Sequence, residues 1–365
     1  MAYLISCRIH RRVAAVLLCN LLVVQSLALA DDRPTSRPSA VVSVAAAGIT
    51  VSDLDASVAF FHDVLTFEKV SETRFAGEEF ASLHGLATTA TARVARLKLG
   101  DEFVELTEYE LPKGRPFPAD SRSNDRWFQH IAIIVRDMEQ AHTWLHEKMV
   151  RHASKDPQRL PDWNRNAAGI KAFYFRDPDG HFLEVLQFPP DKGDPKWHRE
   201  TNALFLGIDH TAIVVNDTEA SLRFYRDVLG FRVVGGSENY GPEQEALNNV
   251  AGAHLRITTL KTEAGPAIEL LEYLSPRDGR PYPADARAND LLHWQTLLIS
   301  RDAAALAAEL RGRKWSFVSD GLVRAGSAGS DARAGFLVRD PDGHALRIGE
   351  ALPPVRRAAE LKESP

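Results

Sequence analysis

Two stretches of the chain carry residue types that could hold a metal ion. The segment QHIAIIVRD places His130 at the start of an apolar run rich in β-formers, which predicts a strand. Further on, RDPDGHFLEVLQF predicts a turn and then a strand in which Glu184 has apolar neighbours. An unpaired carboxylate among apolar residues is costly. An imidazole and a carboxylate on two strands of one structural unit therefore indicate a metal site.

The elements that must position these residues form a recurring unit. MEQAHTWLHEKM has the spacing of a helix and follows the first strand directly. Closer to the N-terminus, VSVAAAGITVSDLDASVAFFHDVLTFEKV predicts a strand, a helix and a strand. ARVARLKLG and EFVELTEY predict two further strands, joined by a tight turn at Gly100-Asp101. That order is a βαβββ module, and residues 127–187 are predicted to form a second one.

The second half of the chain repeats the first. IDHTAIVVNDTEASLRFYRDVLGFRVV aligns with the first module, and LVRDPDGHALRIG aligns with YFRDPDGHFLEVL. We therefore predict two tandem domains, residues 42–188 and 205–350, each built from two modules and joined by the linker PPDKGDPKWHRETN. The predicted fold class is α+β, with helices on one side of mixed sheets.

Some repeated residues are predicted to be structural. GRPFPADSRSND in the first half and GRPYPADARAND in the second are nearly identical, whereas the candidate metal ligands differ between the halves. We expect this connector to hold one module against the next through Arg115, Asp120, Arg122, Asn124 and Asp125. His181 and His344 both follow DPDG and are predicted to be turn residues rather than ligands.

The N-terminus has the three parts of a secretory signal peptide. A basic segment precedes the apolar run VAAVLLCNLLVVQSLALA, and Ala28-Leu29-Ala30 is a cleavage signal. We expect residues 1–30 to be removed, the mature chain to begin at Asp31, and the protein to be secreted or periplasmic without stable membrane association. The alternative is an uncleaved anchor, because the apolar run is close to the length of a membrane span.

Composition narrows the classes of function and of ligand. A net charge of −5 gives no reason to expect nucleic acid or an anionic membrane as partner. The only cysteines, Cys7 and Cys19, lie in the signal segment, so the mature chain has no disulfide and no thiolate. Any metal must be held by His, Glu, Asp or Gln.

These motifs resemble those of the vicinal oxygen chelate superfamily, which includes glyoxalase I, bleomycin-resistance proteins and extradiol dioxygenases. The resemblance covers residues 42–188 and 205–350, and the motifs on which it rests recur in both halves in the same order. They are HTAIVVNDTEASLRFYRDVLGF, the two strands containing Glu-Leu, QHIAIIVRD and the two DPDGH turns. The resemblance implies that βαβββ modules pair into curved, barrel-like sheets with a metal in the cleft. The loop holding Trp163, Asn164 and Arg165 would then border that cleft.

The resemblance also implies where ligands should lie, at four fixed strand positions found by counting back from the strand-ending aspartate. In the first half these positions hold Ala46, Glu105, His130 and Glu184. In the second half they hold His210, Glu269, Gln295 and Arg347. Neither half has a complete set, because an alanine cannot ligate and an arginine repels a cation.

The two halves complement one another. The second module supplies His130 and Glu184, and the third supplies His210 and Glu269, which together make the His/Glu/His/Glu set of glyoxalase I-like proteins. We predict that modules two and three pair to form the metal site. Modules one and four would form a degenerate cleft, in which Glu105 and Arg347 make an ion pair in place of the metal.

The predicted function is that of a metalloenzyme with one divalent ion, either Fe, Ni, Co, Zn or Mn. Its partner would be a small-molecule substrate with two neighbouring oxygens, on which the metal acts as a Lewis acid and Glu184 or Glu269 as the catalytic base. The first alternative is an extradiol-type dioxygenase that uses His130, His210 and Glu184. The second is a non-catalytic small-molecule binding protein of the bleomycin-resistance type. The sequence does not fix the oligomeric state, and a monomer is compatible with it.

Overall fold

The computed structural model describes residues 39–324 and 332–351. The predicted signal peptide, residues 1–30, lies outside this part of the chain. Within it, every helix is too short or too polar to reach across a lipid bilayer.

The described residues form seventeen strands and six α-helices, which follow the predicted modular order. The elements of modules one and two are β1 Val41–Thr50, α1 Leu54–Asp63, β2 Glu68–Ala76, α2 Glu78–His84, β3 Thr91–Leu99, β4 Glu102–Leu111, β5 Gln129–Val135, α3 Met138–Glu147, β6 Arg151–His152, β7 Gln158–Arg159, β8 Lys171–Arg176 and β9 Phe182–Gln187. Those of modules three and four are β10 Phe205–Val215, α4 Thr218–Tyr225, β11 Arg232–Tyr240, α5 Pro242–Asn248, β12 His254–Lys261, β13 Ala267–Ser275, β14 Trp294–Ser300, α6 Ala303–Gly312, β15 Val323–Arg324, β16 Ala332–Arg339 and β17 Ala345–Ala351.

In every module an aspartate follows the first strand and caps the next helix. The side chains of Asp53, Asp137, Asp217 and Asp302 each accept a hydrogen bond from the backbone N–H three residues later, at 2.7–2.9 Å. Such a cap satisfies a backbone donor that the first helical turn leaves unpaired. This explains why one aspartate marks the same place in all four modules and why ligand positions can be counted from it.

The strands form two open sheets, and each sheet joins modules from different halves of the chain. The nine-stranded sheet has the order β11-β12-β13-β10-β5-β9-β8-β6 with β7 beside β8, so it joins modules two and three. The eight-stranded sheet, β15-β16-β17-β14-β1-β4-β3-β2, joins modules one and four. Antiparallel pairing of β5 with β10 and of β1 with β14 connects the modules. The predicted crossed pairing of modules is confirmed.

The hydrophobic cores also contribute to joining the halves. One cluster lies mainly in the first half and packs α1, β1, β3 and β4 against β5, α3, β8 and β9 around Phe61. Another lies mainly in the second half and packs α4 and α6 between modules three and four around Phe224. A third cluster spans the halves, since it joins Phe128 of the first to Leu255 of the second. The shared sheets and this shared core hold the two repeats together in one compact unit.

The connector of each half forms ion pairs with residues of the other half. Arg115 in the first half forms an ion pair of 2.7 Å with Asp290 in the second, and Arg280 forms the same pair with Asp125. The remaining connector residues also have partners in the other half. Asp120 accepts a hydrogen bond from Arg280, and Arg122 and Asn124 both donate to Asp278. The structural role predicted for this segment is confirmed.

Two features were missing from the sequence prediction. The short helices α2 and α5 interrupt the modules, although the glycines before them and the left-handed residues Gly85 and Asn249 after them are recognisable end signals. The segment predicted as a linker contains a 3-10 helix, Pro195–His198, whose Trp197 is buried. It is thus part of the packed structure and borders the site described next.

Candidate metal centre

Strand register brings the four predicted ligands to one face of the nine-stranded sheet. His130 and Glu269 both pair across the sheet with Ala212. His210 and Glu184 both pair with Ala132. Since directly paired residues point to the same face, the four side chains share one cleft, which we call the first cleft.

Three of the four side chains converge on one point. Nε2 of His130 lies 3.1 Å from Oε2 of Glu184, and Nε2 of His210 lies 3.7 Å from the same oxygen. The potential ligand atoms of His130, Glu184 and His210 all lie within 4.8 Å of one another. All three residues are at most 4% exposed.

These close approaches are not hydrogen bonds. Both ring nitrogens of His130 are buried and have no hydrogen-bond partner in the described part of the chain. Unpartnered buried polar atoms are rare in folded proteins and call for an explanation. Two imidazole nitrogens and a carboxylate oxygen that face one point are a donor set suited to a divalent transition metal. The residues present therefore fit the metal that the sequence predicted.

A second carboxylate fixes the orientation of His210. Oδ2 of Asp209 lies 3.0 Å from Nδ1 of His210, and Oδ1 accepts a hydrogen bond from Nε1 of Trp197 at 3.1 Å. Burial raises the pKa of Asp209, but the hydrogen bonds from His210 and Trp197 and the nearby positive charges of His210 and Lys261 together outweigh it and hold that pKa below its usual value. Because an ionised carboxylate only accepts, Nδ1 of His210 is the donor and Nε2 faces the cleft.

The charge around His210 changes its protonation. Burial by itself lowers the pKa of His210, but the nearby Glu269 and the hydrogen bond to Asp209 raise it to about 9. In the absence of a metal the imidazole is therefore a cation at neutral pH. A metal that binds Nε2 takes the place of this proton.

Glu269 lies beside the three-residue cluster. Its Oε2 is 3.4 Å from Nε2 of His210, and its Oε1 accepts a hydrogen bond from the hydroxyl of Thr259 at 2.8 Å. The Glu269 side chain is 20% exposed, compared with 5% for Glu184. In the sequence Glu269, like Glu184, stands between two apolar strand residues, Ile268 and Leu270, which predicts a buried carboxylate. For Glu269 this prediction is wrong, because the side chain is only partly buried and lies towards the open part of the cleft.

A cavity of about 600 Å³ opens above the cluster. Its lining includes the apolar residues Leu160, Ile170 and Ile257 and the cations Arg165, Lys192 and Lys261. A volume of this size fits a small-molecule site. The sequence did not identify Lys192 or Lys261, since nothing in their local pattern distinguishes them from other surface lysines.

Of the three loop residues predicted to border the cleft, only Arg165 lines the cavity. Trp163 stacks against Tyr240 with ring centroids 4.3 Å apart. Asn164 donates a hydrogen bond of 2.7 Å to the side chain of Asn239. Trp163 and Asn164 thus attach the loop to module three.

The equivalent face of the eight-stranded sheet, which we call the second cleft, has no comparable ligand set. Gln295 and Glu105 both pair with Gly48, and Ala46 and Arg347 both pair with Leu297, so these residues occupy the four equivalent positions. Nη2 of Arg347 donates a hydrogen bond of 2.8 Å to Oε2 of Glu105. The predicted ion pair is confirmed.

The two DPDGH histidines are turn residues, as predicted. Nδ1 of His181 lies 2.7 Å from Oδ2 of Asp177, and Nδ1 of His344 lies 2.9 Å from Oδ2 of Asp340. In addition, Nε2 of His181 donates to the carbonyl of Leu291 in the other half. These imidazoles are engaged within the fold and do not point at the metal centre.

Comparisons with known proteins agree with this architecture. A family model described as the Glyoxalase/Bleomycin resistance protein/Dioxygenase superfamily matches residues 42–185 and 207–348. The chain is 34% identical over 154 residues to the 2-epi-5-epi-valiolone epimerase of Actinomyces sp., which covers 40% of this chain and 80% of that protein.

A second similar protein is the lactoylglutathione lyase of Schizosaccharomyces pombe, at 28% identity over 198 residues. That match covers 52% of this chain and 60% of the lyase. The crystal structure of glyoxalase I from Zea mays has a TM-score of 0.54 at 17% identity, over 84% of this chain and 92% of that one, which shows a common fold. The two matched regions span most of the sequence, so the chain belongs to the Glyoxalase/Bleomycin resistance protein/Dioxygenase superfamily.

Proposed function

We propose that the protein is a metalloenzyme with one divalent-metal site in the first cleft, shared between the two halves of the chain. The observation that carries the proposal is the convergence of His130, Glu184 and His210 on one point without hydrogen bonds between them. The halves contribute jointly, since His130 and Glu184 come from module two and His210 from module three. Glu269 supplies a fourth group beside them.

The two carboxylates are suited to different tasks. Glu184 is buried and lies close to both imidazoles, so it is placed to ligate. Glu269 is more exposed, and Thr259 holds only one of its oxygens. Its other oxygen faces the cleft and is placed to take a proton from a substrate and return it, which is general acid–base catalysis.

The proposed substrate is a small molecule with two neighbouring oxygens and an anionic group. A bound divalent ion would supply Lewis-acid polarisation of a substrate oxygen. Leu160 and Ile170 would exclude water from the substrate, while Arg165, Lys192 and Lys261 in the cavity lining would attract a negative charge. We propose lyase or isomerase chemistry of the glyoxalase I type.

Extradiol-type dioxygenase activity is a second candidate. Two histidines and one carboxylate that converge with open positions resemble the ligand set of non-haem Fe(II) oxygenases, and His130, His210 and Glu184 form such a set. Glu269 beside His210 has no role in that scheme, which favours the first candidate. Two similar proteins are named as an epimerase and a lyase, which favours an enzyme over a non-catalytic binding protein.

We also propose that the protein acts outside the cytoplasm, which rests on the signal-peptide pattern of residues 1–30. N-terminal sequencing of protein recovered from the native host tests this. A mature chain that begins at Asp31 supports export, and an intact Met1 on a cytoplasmic product contradicts it.

Metal analysis tests the proposed centre most directly. Protein from its native compartment should contain about one metal ion per chain. The variants His130→Ala and His210→Ala should lose metal equally although they lie in different repeats, and the control Glu105→Ala in the second cleft should lose none. Absence of metal after reconstitution with Fe, Ni, Co, Zn and Mn would indicate a binding protein. Loaded protein should then be screened on 2-oxoaldehydes, hydroxy-ketones and catechols, and turnover of catechols alone would indicate the dioxygenase.

A further inference from the structure

Three histidines lie together on the face of the nine-stranded sheet that is opposite the first cleft. His142 and His146 stand four residues apart on α3, so they share one side of that helix, and His152 lies on the next strand, β6. We call this group the α3 histidine cluster. Successive residues of a strand point to opposite faces. Because Tyr174 of β8 lines the cavity of the first cleft, Phe173 beside it faces away from that cleft and towards the cluster.

A buried phenyl ring holds two of these imidazoles in place. The ring centroids of His142 and His152 lie 4.9 and 4.8 Å from that of Phe173, both edge to face, and 5.3 Å from each other. The ring centroid of His146 lies 6.2 Å from that of His152. Imidazoles on one tetrahedral zinc ion, with metal–nitrogen distances of about 2.0–2.1 Å, have ring centroids roughly 5 Å apart. The spacing of His142 and His152 is therefore that of two ligands of one ion.

The more distant His146 must turn for three ring nitrogens to meet. In the described part of the chain, three potential ligand atoms lie within 4.8 Å of one another in the first cleft alone. His142 and His152 are half-buried, whereas His146 is exposed, so its side chain can rotate without disturbing the packing around Phe173. Nε2 of His142 is buried and has no hydrogen-bond partner among the described residues. Such an atom calls for a partner that the fold itself does not provide.

Module four shows that packing at the place of His142 does not need an imidazole. The capping aspartates Asp137 and Asp302 give the same origin for counting in modules two and four. Five residues after each of them stand His142 on α3 and Ala307 on α6. Ala307 is 2% exposed and belongs to the core of its module. The fold therefore fills this position with a small apolar side chain where no further role is required.

The same comparison holds for His152. Alignment of the two DPDGH segments makes Phe173 equivalent to Phe336. The ring that packs on Phe336 is that of Phe317, with centroids 5.4 Å apart, whereas the ring that packs on Phe173 is that of His152. Two imidazoles thus occupy places in module two that apolar side chains occupy in module four. This exchange adds metal-binding nitrogen atoms to a site where the fold requires none.

The histidines of the cluster also act on one another electrostatically. Burial lowers the pKa of His152, and the neighbouring His142 and His146 lower it further, while the carboxylate of Asp156 opposes them. A proton on His152 is therefore disfavoured, and ligation of a metal requires a ring nitrogen without a proton. The carboxylate of Asp156 offsets part of the positive charge of an ion bound beside it.

We propose that the α3 histidine cluster binds one zinc ion, separately from the metal centre of the first cleft. His142 and His146 each supply one nitrogen from α3, His152 supplies a third from β6, and water completes a tetrahedral shell. Three imidazoles without a thiolate are a donor set suited to this ion. The zinc ion links α3 to β6, a strand of two residues at the end of the nine-stranded sheet, and so stabilises that edge.

Zinc binding is measured by calorimetry on the full-length chain carrying His130→Ala and His210→Ala, which removes two ligands of the first cleft. This double variant should still bind one zinc ion per chain, with a Kd on the order of 10 µM or tighter. X-ray absorption of the zinc-loaded double variant should show three imidazole nitrogens at about 2.0–2.1 Å. No zinc binding, or a zinc ion with fewer than three imidazole ligands, would overturn the proposal whether or not the first cleft holds a metal.

Substitutions then locate the site. His142→Ala and His152→Phe install the residues of module four, so each keeps a packing arrangement that this fold already uses. Each should weaken zinc binding to the double variant by about tenfold or more, and each should remove one bound zinc ion from the otherwise wild-type chain. Zinc should raise the temperature of thermal unfolding of the double variant, and His152→Phe should abolish that rise.

His62→Gln is the matched control, because His62 is exposed and stands on α1 at the place that His146 occupies on α3. It should leave the affinity for zinc within about twofold. Full binding by His152→Phe, or an equal loss of affinity in His62→Gln, would show an adventitious ion only, held by surface histidines.

Discussion

Asp209 joins His210 to Trp197 through the two oxygens of one carboxylate. Oδ2 receives Nδ1–H of His210 at 3.0 Å, and Oδ1 receives Nε1–H of Trp197 at 3.1 Å. Trp197 lies on the 3-10 helix between the two repeats. The segment that connects the halves therefore supports the residue that the second half contributes to the proposed metal centre.

Asp209→Asn should weaken metal binding by about 10- to 100-fold, the usual effect of removing a carboxylate behind a ligating histidine. The amide keeps the shape but no longer fixes the proton on Nδ1 of His210. Calorimetric titration of metal-stripped protein with zinc measures the change. Asp194→Asn is the matched control, because Asp194 lines the same cavity and its side chain caps the 3-10 helix, a role that asparagine retains. Equal affinities of wild type and Asp209→Asn would show that Asp209 does not orient the ligand.

Glu184→Gln and Glu269→Gln should separate ligation from proton transfer. Oε2 of Glu184 faces Nε2 of both His130 and His210, at 3.1 and 3.7 Å, so the amide variant should lose most of the metal. Glu269→Gln should keep most of the metal and lose about 10²- to 10⁴-fold in turnover, the range expected for a general base. Metal content and turnover of the same preparations measure both effects. Loss of metal in both variants to the same degree would assign Glu269 as an equal fourth ligand.

The ion pairs between the two connectors should contribute much of the free energy that holds the halves together. Asp125 is fully buried and accepts two hydrogen bonds of 2.7 and 3.0 Å from the guanidinium of Arg280. Arg280→Met leaves this carboxylate with only the more distant guanidinium of Arg122, at 3.9 Å, and should lower the free energy of unfolding by about 3 kcal/mol. Arg226→Met, whose partner Asp227 is exposed, should change it by about 0.5 kcal/mol or less. Denaturant unfolding monitored by tryptophan fluorescence compares the two, and equal effects would contradict the structural role of the connector.

Much of this architecture was predictable because its signals are local or repeated. The four capping aspartates give a fixed origin for counting, so residues far apart in the chain, such as His130 and His210, could be assigned to equivalent places. The crossed pairing of modules followed from chemistry, since only the set drawn from modules two and three is complete. That prediction needed no knowledge of which strands form hydrogen bonds.

Other features depended on tertiary contacts that no local pattern reveals. Asp209 looks like an ordinary polar residue beside a histidine, and its role appears only when Trp197 packs against it. Lys192 and Lys261 come from different halves and meet only in the folded cavity. His293 belongs to no motif, and its burial appears only in the folded structure.

The neutral histidines of the second cleft should make the protein sensitive to mild acid. Burial, together with the charges of Arg339 and His84, lowers the pKa of His293 from 6.5 to about 3, against smaller opposing contributions from Gln295 and Asp290. The unfolded chain therefore binds a proton near pH 6.5 that the folded chain does not. Stability contributed by the neutral ring is complete above pH 6.5 and is lost as pH falls from there towards about 3.

His293→Phe should therefore flatten the decline of unfolding free energy between pH 7 and pH 4. The expected reduction in that decline is on the order of a few kcal/mol, because each unit of pKa difference corresponds to about 1.4 kcal/mol. His84→Asn, which installs the residue found at the equivalent place in α5, should act in the same direction, since burial also lowers the pKa of His84 to about 4. Urea unfolding at several pH values measures the slope. His62→Ala, at an exposed histidine on α1, should leave the slope unchanged. Equal slopes for His293→Phe and wild type would show that His293 takes up its proton without unfolding the cleft.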